Sequence, residues 1–495
     1  MSVQEISEQD NSAKRMPRIA VIGGGMSGIL TAIKLQEAGM TDFALYEKAA
    51  SLGGTWRENT YPGLCCDVPS HMYRYSFEPN AEWSHRFSPG AEIMAYFDGV
   101  AKKYEIEKFV KFNREITCAR YQGGKWHIEC GDETLDVVDI IVSAAGVLHK
   151  PVYPDIPGLD DFGGDVFHSA RWNHDVSLDG KRVGIVGTGS TAVQIATDVI
   201  DDVAHLSLFQ RTAQWIFSQE NPAFSEKEKD VYRNIPGAMD DLYANLTNLF
   251  ASTFGEAVIG DKEQMKLIQD ACRANLEDNV HDPELRARLT PDYQAACKRL
   301  IVSDGFYAAM QKPNAALITD KIERVEPGGV RTKDGQLHEL DVLVLATGFD
   351  GHSFMRPMDL IGRDGVDLKD VWVDATPAHR SISLPGFPNY FMLVGPNSPI
   401  GNFSLIDISE RQLAYVMQLI DLWRGGEVNE ISAKQEAMES FNTDIKGAMK
   451  DTVWVTGCQS WYLDKNGNPA MWPFSFAKFC EDMTAPNLDE FDLVS

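Results

Sequence analysis

Two charged residues of opposite sign stand at the same distance from two glycine-rich turns. Glu47 lies nineteen positions after Gly28, the last residue of Gly23-Gly24-Gly25-Met26-Ser27-Gly28. Arg211 lies nineteen positions after Ala192, which closes Gly187-Thr188-Gly189-Ser190-Thr191-Ala192. In a G-x-G-x-x-G/A turn the first glycine permits the tight bend and the second lets backbone approach a pyrophosphate. The third position lets helix pack on strand, and the helix N-terminus faces the anion. A carboxylate at the end of the next strand holds ribose hydroxyls. An arginine there cannot accept those hydrogen bonds, but it pairs with a 2′-phosphate. The chemistry implied is the binding of two dinucleotides, the second NADPH rather than NADH. A glycine turn that only saves space is the competing reading, and the flanking elements decide.

Those elements are present. Residues 18–22 form a short apolar strand, 29–37 a helix stopped by Gly39, and 43–46 a second strand ending at Glu47. The pattern repeats with a strand at 184–186 after the Asp179-Gly180 turn, a helix to about Ile200, and a strand at 206–209. Ile140 to Ser143 is a buried strand running into Gly146. Pro151, Pro154 and Pro157 follow as a stiff, extended connector. From 223 to 296 strand signals vanish and Leu, Met, Ala and charged residues recur at helical spacing. Asp282-Pro283 starts one of the helices there. The fold class is therefore α/β, with two Rossmann-like dinucleotide-binding domains and a helical insertion.

Composition narrows the function. With 495 residues, 44% hydrophobic and 24% charged, the chain has the make-up of a soluble globular protein of two to four packed units. A net charge of −26 excludes nucleic acid and anionic membranes as partners. There is no apolar run of about 18 residues to span a membrane, and residues 1–17 read as a polar flexible tail rather than a signal peptide. Eight cysteines without metal-like spacing read as reduced thiols of a cytoplasmic protein, and no metal site is expected. Cys65-Cys66 is either a redox pair or simple packing, and neighbouring cysteines rarely reach disulfide geometry. No redox-active C-x-x-x-x-C lies near the first turn, which removes the disulfide reductases.

The connector leads into Phe162-Gly163-Gly164-Asp165-Val166-Phe167-His168-Ser169-Ala170-Arg171-Trp172. This F-x-G-x-x-x-H-x-x-x-W pattern resembles the fingerprint of the type I Baeyer–Villiger monooxygenases, carried on Phe162, Gly164, His168 and Trp172. Asn173 departs from the Pro or Asp usual after the Trp. Gly53-Gly54-Thr55-Trp56 and Tyr61-Pro62-Gly63-Leu64-Cys65-Cys66-Asp67 resemble that family's flavin-side signatures, although Arg57 and Glu58 stand where relatives often carry aromatics. Gln210-Arg211-Thr212, Lys298-Arg299 and Ala346-Thr347-Gly348-Phe349 resemble its NADPH-side signatures. Gly457-Cys458-Gln459-Ser460-Trp461-Tyr462 resembles the mobile segment that closes over NADP, in a form leaning toward hydroxyacetophenone and phenylacetone monooxygenases.

The resemblance implies FAD and NADPH as cofactors, and a C4a-peroxyflavin that oxygenates a ketone to an ester or lactone with O2. Sulfoxidation is implied as a side activity. For FAD it implies Gly23, Gly25, Met26, Ser27, Gly28, Glu47, Lys48, Gly54, Thr55, Trp56, Asp67 and Tyr73. For NADP it implies Gly187, Thr188, Gly189, Ser190, Thr191, Gln194, Arg211, Thr212, Lys298, Arg299 and Trp461. Ile400, Gly401, Asn402 and Phe403 would line the substrate pocket. Arg299 is the expected catalytic cation and Asp67 its partner. From the residues alone, Asp67 reads equally as a turn-opening acid, and Lys298-Arg299 as a solvated basic pair. The expected division is a tail at 1–17, an FAD domain at 18–150 and 380–495, an NADPH domain at 151–222 and 297–379, and the insertion at 223–296. Two other functions stay open, an S/N-oxygenase of the flavin-containing monooxygenase type and a non-catalytic FAD/NADPH redox sensor. Oligomeric state is not legible.

Overall fold

The computed structural model describes residues 14–495. Its centre is a pair of five-stranded sheets, both wholly parallel. The first runs in the order Tyr390–Met392, Ile140–Ser143, Ile19–Ile22, Phe43–Tyr46, Val110–Lys111. The second runs Asp165–His168, Val342–Leu345, Arg182–Val186, His205–Phe209, Ala315–Ile318. In each sheet the central strand feeds a glycine turn, and the next strand of the unit lies on one side. On the other side lies the strand that ends a small antiparallel meander, 118–138 in the first half and 322–339 in the second. Parallel sheets are covered on both faces, which is why these strands read as continuous Val, Ile, Leu and Ala.

The helices after the turns begin sooner than the apolar periodicity suggests. The first spans Met26–Glu37 and its counterpart Ser190–Val199, capped at Gly25 and Gly189. Gly23 and Gly187 hold the same left-handed conformation, with φ of 106° and 119°. A side chain at either would run into the carbonyl of the neighbouring strand's exit, Ala144 or Ala346. Between 223 and 296 the regular elements are helices, the longest Lys262–Asn279. The C-terminal part contributes the edge strand Tyr390–Met392 and the helix Leu405–Arg424, which packs on Met26–Glu37.

Residues 1–13 of the expected tail lie outside the described residues. Residues 14–17 correct that expectation, because Arg15 is fastened. Its guanidinium stacks 4.1 Å over the Trp423 ring and donates to the Trp423 and Val428 carbonyls at 2.5 and 2.6 Å. An arginine can stack and fork into the carbonyls at a helix C-terminus at once, which anchors a segment too polar to pack otherwise. Among the described residues no helix is long and apolar enough to cross a membrane.

Candidate active site

The two glycine turns open onto one cavity of about 1360 Å³. That exceeds the roughly 300–1,000 Å³ of a pocket for one small ligand. Its first lobe is lined by Gly23, Gly25, Met26, Ser27, Glu47, Lys48, Gly54, Thr55, Trp56, Asp67 and Tyr73. Its second is lined by Gly187, Thr188, Gly189, Ser190, Thr191, Gln194, Arg211, Thr212, Lys298, Arg299 and Trp461. Gly28 is absent from the wall because it packs against the Gly23 carbonyl behind the turn. Ile400 and Phe403 also face the cavity, whereas Gly401 and buried Asn402 stand behind it. Asn402 donates to the Trp472 carbonyl at 3.2 Å.

The two lobes differ in charge. Glu47 accepts from the Gly24 N–H at 2.7 Å on Oε2 and from the Ala49 N–H at 2.9 Å on Oε1, and Arg57 approaches Oε1 at 3.0 Å. Arg57 thus neutralises the acid at the departure from the aromatic pattern. Arg211 is exposed to the cavity, with Lys298 beside it. Burial pulls the Lys298 ammonium below its usual range, and the Arg211 charge adds to that effect. Neither forms a salt bridge among the described residues. Two adjacent cations outside any salt bridge fit an anionic group such as a 2′-phosphate.

At the junction of the lobes, Arg299 meets Asp67. Its Nη2 donates to Oδ1 at 2.7 Å and its Nε to Oδ2 at 3.0 Å, a two-point fork across 232 positions of sequence. A third of the Arg299 side-chain surface remains open, and the residue lines the cavity. Burial alone would pull its pKa down, but the Asp67 charge, its hydrogen bonds and the Tyr462 phenol together outweigh it and hold the group above its usual value. The cation is therefore permanent. Nη1 points at the Ile400 carbonyl, 3.4 Å away.

None of the four fingerprint residues lines the cavity. Their strand, Asp165–His168, is the edge of the second sheet. Gly164 lies so close to the Asp341 carbonyl that no side chain fits. Phe162 packs under the sheet, and Trp172 meets Phe167 edge-on at 4.9 Å. The His168 Nδ1 accepts from the Ala170 N–H at 3.1 Å, and its ring packs against Tyr153 of the connector and Phe349. Burial lowers the His168 pKa, so the ring is neutral at pH 7. Asn173 accepts from the Asp175 N–H at 3.1 Å, an Asx turn that explains why it serves where Pro or Asp is usual.

Next to Trp172, Arg171 pairs with Glu58, which also receives Arg57 at 2.5 Å. Thr60 bonds His174 at 2.7 Å, and Gln194 accepts from Tyr61 at 2.9 Å. Gln194 also donates to the Cys65 carbonyl at 2.9 Å. These contacts stitch the segment 57–67 of the first half to the second half. The sequence points to Gln194 as a nucleotide residue and to Arg57, Glu58 and Cys65 for other reasons, but nothing in the spacing announces the pairing.

The cysteines require a correction. Cys297 and Cys458, expected as free thiols, form a disulfide with Cα atoms 6.1 Å apart. They are 161 positions apart, so only the fold brings them together. The remaining six are free, Cys65 and Cys66 included. Burial, followed by the Asp67 charge, pushes the Cys65 thiol up to about 11 and Cys66 well above its ordinary value, which makes both inert packing.

Two parallel nucleotide-type sheets sharing one cavity, with a fixed arginine at the seam, define a two-dinucleotide oxidoreductase. The flavin-binding monooxygenase-like family profile matches residues 16–226. An uncharacterized monooxygenase of Mycobacterium tuberculosis is 47% identical over 479 residues, 97% of this chain and 96% of that one. A Baeyer-Villiger monooxygenase of Streptomyces coelicolor is 37% identical over 482 residues, 96% and 92% of the two chains. Among solved structures, cyclohexanone monooxygenase from Rhodococcus sp. Phi1 bound to NADP+ superposes with a TM-score of 0.87 at 27% identity, covering 97% of this chain and all of that one. The OTEMO complex with FAD and NADP gives the same values. The chain belongs to the flavin-binding monooxygenase-like family, within its Baeyer–Villiger branch.

Proposed function

We propose that the protein is an FAD- and NADPH-dependent Baeyer–Villiger monooxygenase that converts ketones to esters or lactones with O2. The observation that carries this reading is the Arg299–Asp67 fork at the seam of two differently charged nucleotide lobes. When bound, FAD and NADPH supply the reducing equivalents and the activation of O2. The residues present fit them. The Gly23 turn and the helix starting at Met26 would take the FAD pyrophosphate, and Glu47 the ribose. The Gly187 turn and the helix starting at Ser190 would take the NADPH pyrophosphate, with Arg211, Thr212 and Lys298 around the 2′-phosphate.

Arg299 offers a cation that never loses its proton, which stabilises negative charge developing on oxygen beside the carbonyl. Asp67 orients the guanidinium and leaves one edge of it free. Ile400 and Phe403 contribute apolar surface for the ketone, and Trp461 covers the second lobe. In this reading residues 18–150 and 380–495 form the FAD domain, and 151–222 and 297–379 the NADPH domain. The insertion at 223–296 packs beside them. His168, neutral and off the cavity, couples the linker to the second domain and takes no part in proton transfer. We place the enzyme in the cytoplasm, where burial shields Cys297–Cys458 from thiol exchange.

The test is product analysis with a panel of ketones under 18O2. The expected result is an ester or lactone carrying one labelled oxygen, with one NADPH consumed per product. Hydrogen peroxide alone, or sulfoxides without any ester, would overturn the reading.

A further inference from the structure

The last stretch of the helical insertion is tied to the segment that carries Arg211. Gln210 donates to the Arg288 carbonyl at 2.7 Å. Tyr293 then makes three contacts with residues 213–215. Its backbone carbonyl accepts from the Trp215 indole N–H at 2.6 Å. Its hydroxyl has a single proton, given at 2.7 Å to the Gln214 Oε1, with the Ala213 carbonyl 3.0 Å away. The ring packs against the small buried cluster around Trp215, so Tyr293 is fixed at both its backbone and its tip. Gln214 and Lys298 line the cavity on either side of it. The Lys298 ammonium, outside any salt bridge among the described residues, lies over the Tyr293 ring with Nζ 4.6 Å from the centroid.

Such an ammonium needs holding. Burial disfavours its charge, and the Arg211 charge repels it. A flexible four-carbon stem would by default carry it away into water. The negative face of an aromatic ring within about 6 Å opposes that drift. It does so without neutralising the cation, whereas an acid in the same place would take up the charge that a phosphate needs. We infer that Tyr293 is a positioning residue, tethered to Ala213, Gln214 and Trp215, whose ring holds the Lys298 ammonium in the same lobe as Arg211. Arg211 and Lys298 are 87 positions apart in the chain. Tyr293 bonds to the segment just after the first and carries the second on its ring. The end of the insertion, residues 288–293, thereby becomes part of the selection for a 2′-phosphate and more than packing beside the two domains.

This inference rests on the assignment of Arg211 and Lys298 to the 2′-phosphate, and its test reads binding rather than turnover. The probes are 2′,5′-ADP, which carries that phosphate, and 5′-ADP, which lacks it. Calorimetry on the FAD-loaded enzyme compares wild type, Tyr293→Leu, Tyr293→Phe, Lys298→Ala and the two double variants. Wild type should bind 2′,5′-ADP at least about tenfold tighter than 5′-ADP, the scale of a charged hydrogen bond. Tyr293→Leu should weaken 2′,5′-ADP about fivefold, the scale of a cation–π contact, and change 5′-ADP by less than about twofold. Tyr293→Phe keeps the ring and loses the tether, so it should weaken 2′,5′-ADP about threefold with the same selectivity. That variant decides the matter if Tyr293→Leu fails to fold. In the Lys298→Ala background neither change at Tyr293 should weaken 2′,5′-ADP further. Equal weakening of both nucleotides, no weakening, or the same weakening without Lys298 would overturn the role given to Tyr293. Wild type that binds the two nucleotides equally would instead remove the 2′-phosphate assignment beneath it.

Discussion

The two halves are the same machine with one charge reversed. Each places a glycine turn between a central strand and a helix, and each flanks its central strand with a strand that follows a meander. Gly23 donates to the Tyr46 carbonyl at 2.9 Å, and Gly187 to the Phe209 carbonyl at 3.2 Å. The acid Glu47 and the base Arg211 occupy the same place after the second strand. They differ in fit as well. Glu47 is buried and already holds two backbone N–H groups and Arg57, whereas exposed Arg211 and half-buried Lys298 form no salt bridge among the described residues. The third turn position is Gly28 against the Gly23 carbonyl in the first half, but Ala192 in the second. A tighter turn with a satisfied acid suits a resident cofactor, and a looser turn with unpaired cations suits one that comes and goes. The edge strand differs too, since the first half uses the return segment Tyr390–Met392 and the second uses the fingerprint strand itself.

The comparison breaks most sharply at the paired glycines. In Gly23→Ala a Cβ would stand 2.5 Å from the Ala144 oxygen at a φ of 106°. Backbone strain and displacement of about 3 kcal/mol or more should weaken FAD at least a hundredfold, and the protein should purify colourless. Gly187→Ala should stay yellow and lose NADPH binding instead. Loss of colour in both would mean that the halves are not separable. A smaller effect is expected at the reversed charge. Arg211→Ala should weaken NADPH by about 10- to 150-fold, from a charged hydrogen bond worth about 1.5–3 kcal/mol, and leave NADH nearly unchanged in equilibrium dialysis. An unaltered NADPH preference would sink the phosphate assignment.

The smallest effect concerns the stitch between the halves. Burial would raise the Glu58 carboxyl, but Arg57 and Arg171 outweigh it and hold it below its usual range. A depressed carboxylate stabilises the fold above its unfolded value near about 4.3 and loses that contribution as pH falls through the folded value. Glu58→Gln should therefore cost about 1 kcal/mol at pH 7 and flatten the acid limb of a denaturant-measured stability profile. A variant as pH-sensitive as the wild type below pH 5 would show that Glu58 does not bridge.

Much of this was legible in the sequence because it is local. Strand, glycine turn, helix and terminal charge fall within about thirty residues of each other, and a period-and-turn reading finds them. The seam was legible only by resemblance, since Asp67 and Arg299 are 232 positions apart and each has an ordinary surface explanation. The disulfide was misread for the same reason. Cys297 and Cys458 carry no spacing signal, and only the packing of the 457–462 segment against the start of the Lys298-Arg299 segment joins them. The helix starts at Met26 and Ser190 were missed by apolar periodicity because their first turns line the cavity, not the core. The fingerprint's role was the least visible, for its residues shape a sheet edge away from the cavity.

The most direct measurement is made at Arg299. Stopped-flow flavin reduction by NADPH and ester yield should be measured side by side in Arg299→Ala, with Arg299→Lys as the charge control. Reduction should proceed within a few-fold of wild type. Ester should fall at least about a hundredfold, the scale of one strong transition-state donor, with hydrogen peroxide in its place, and lysine should rescue poorly for want of the planar fork. Ester formation at near wild-type yield, or reduction lost as severely as oxygenation, would contradict the claim that a fixed cation at the seam drives the oxygen insertion.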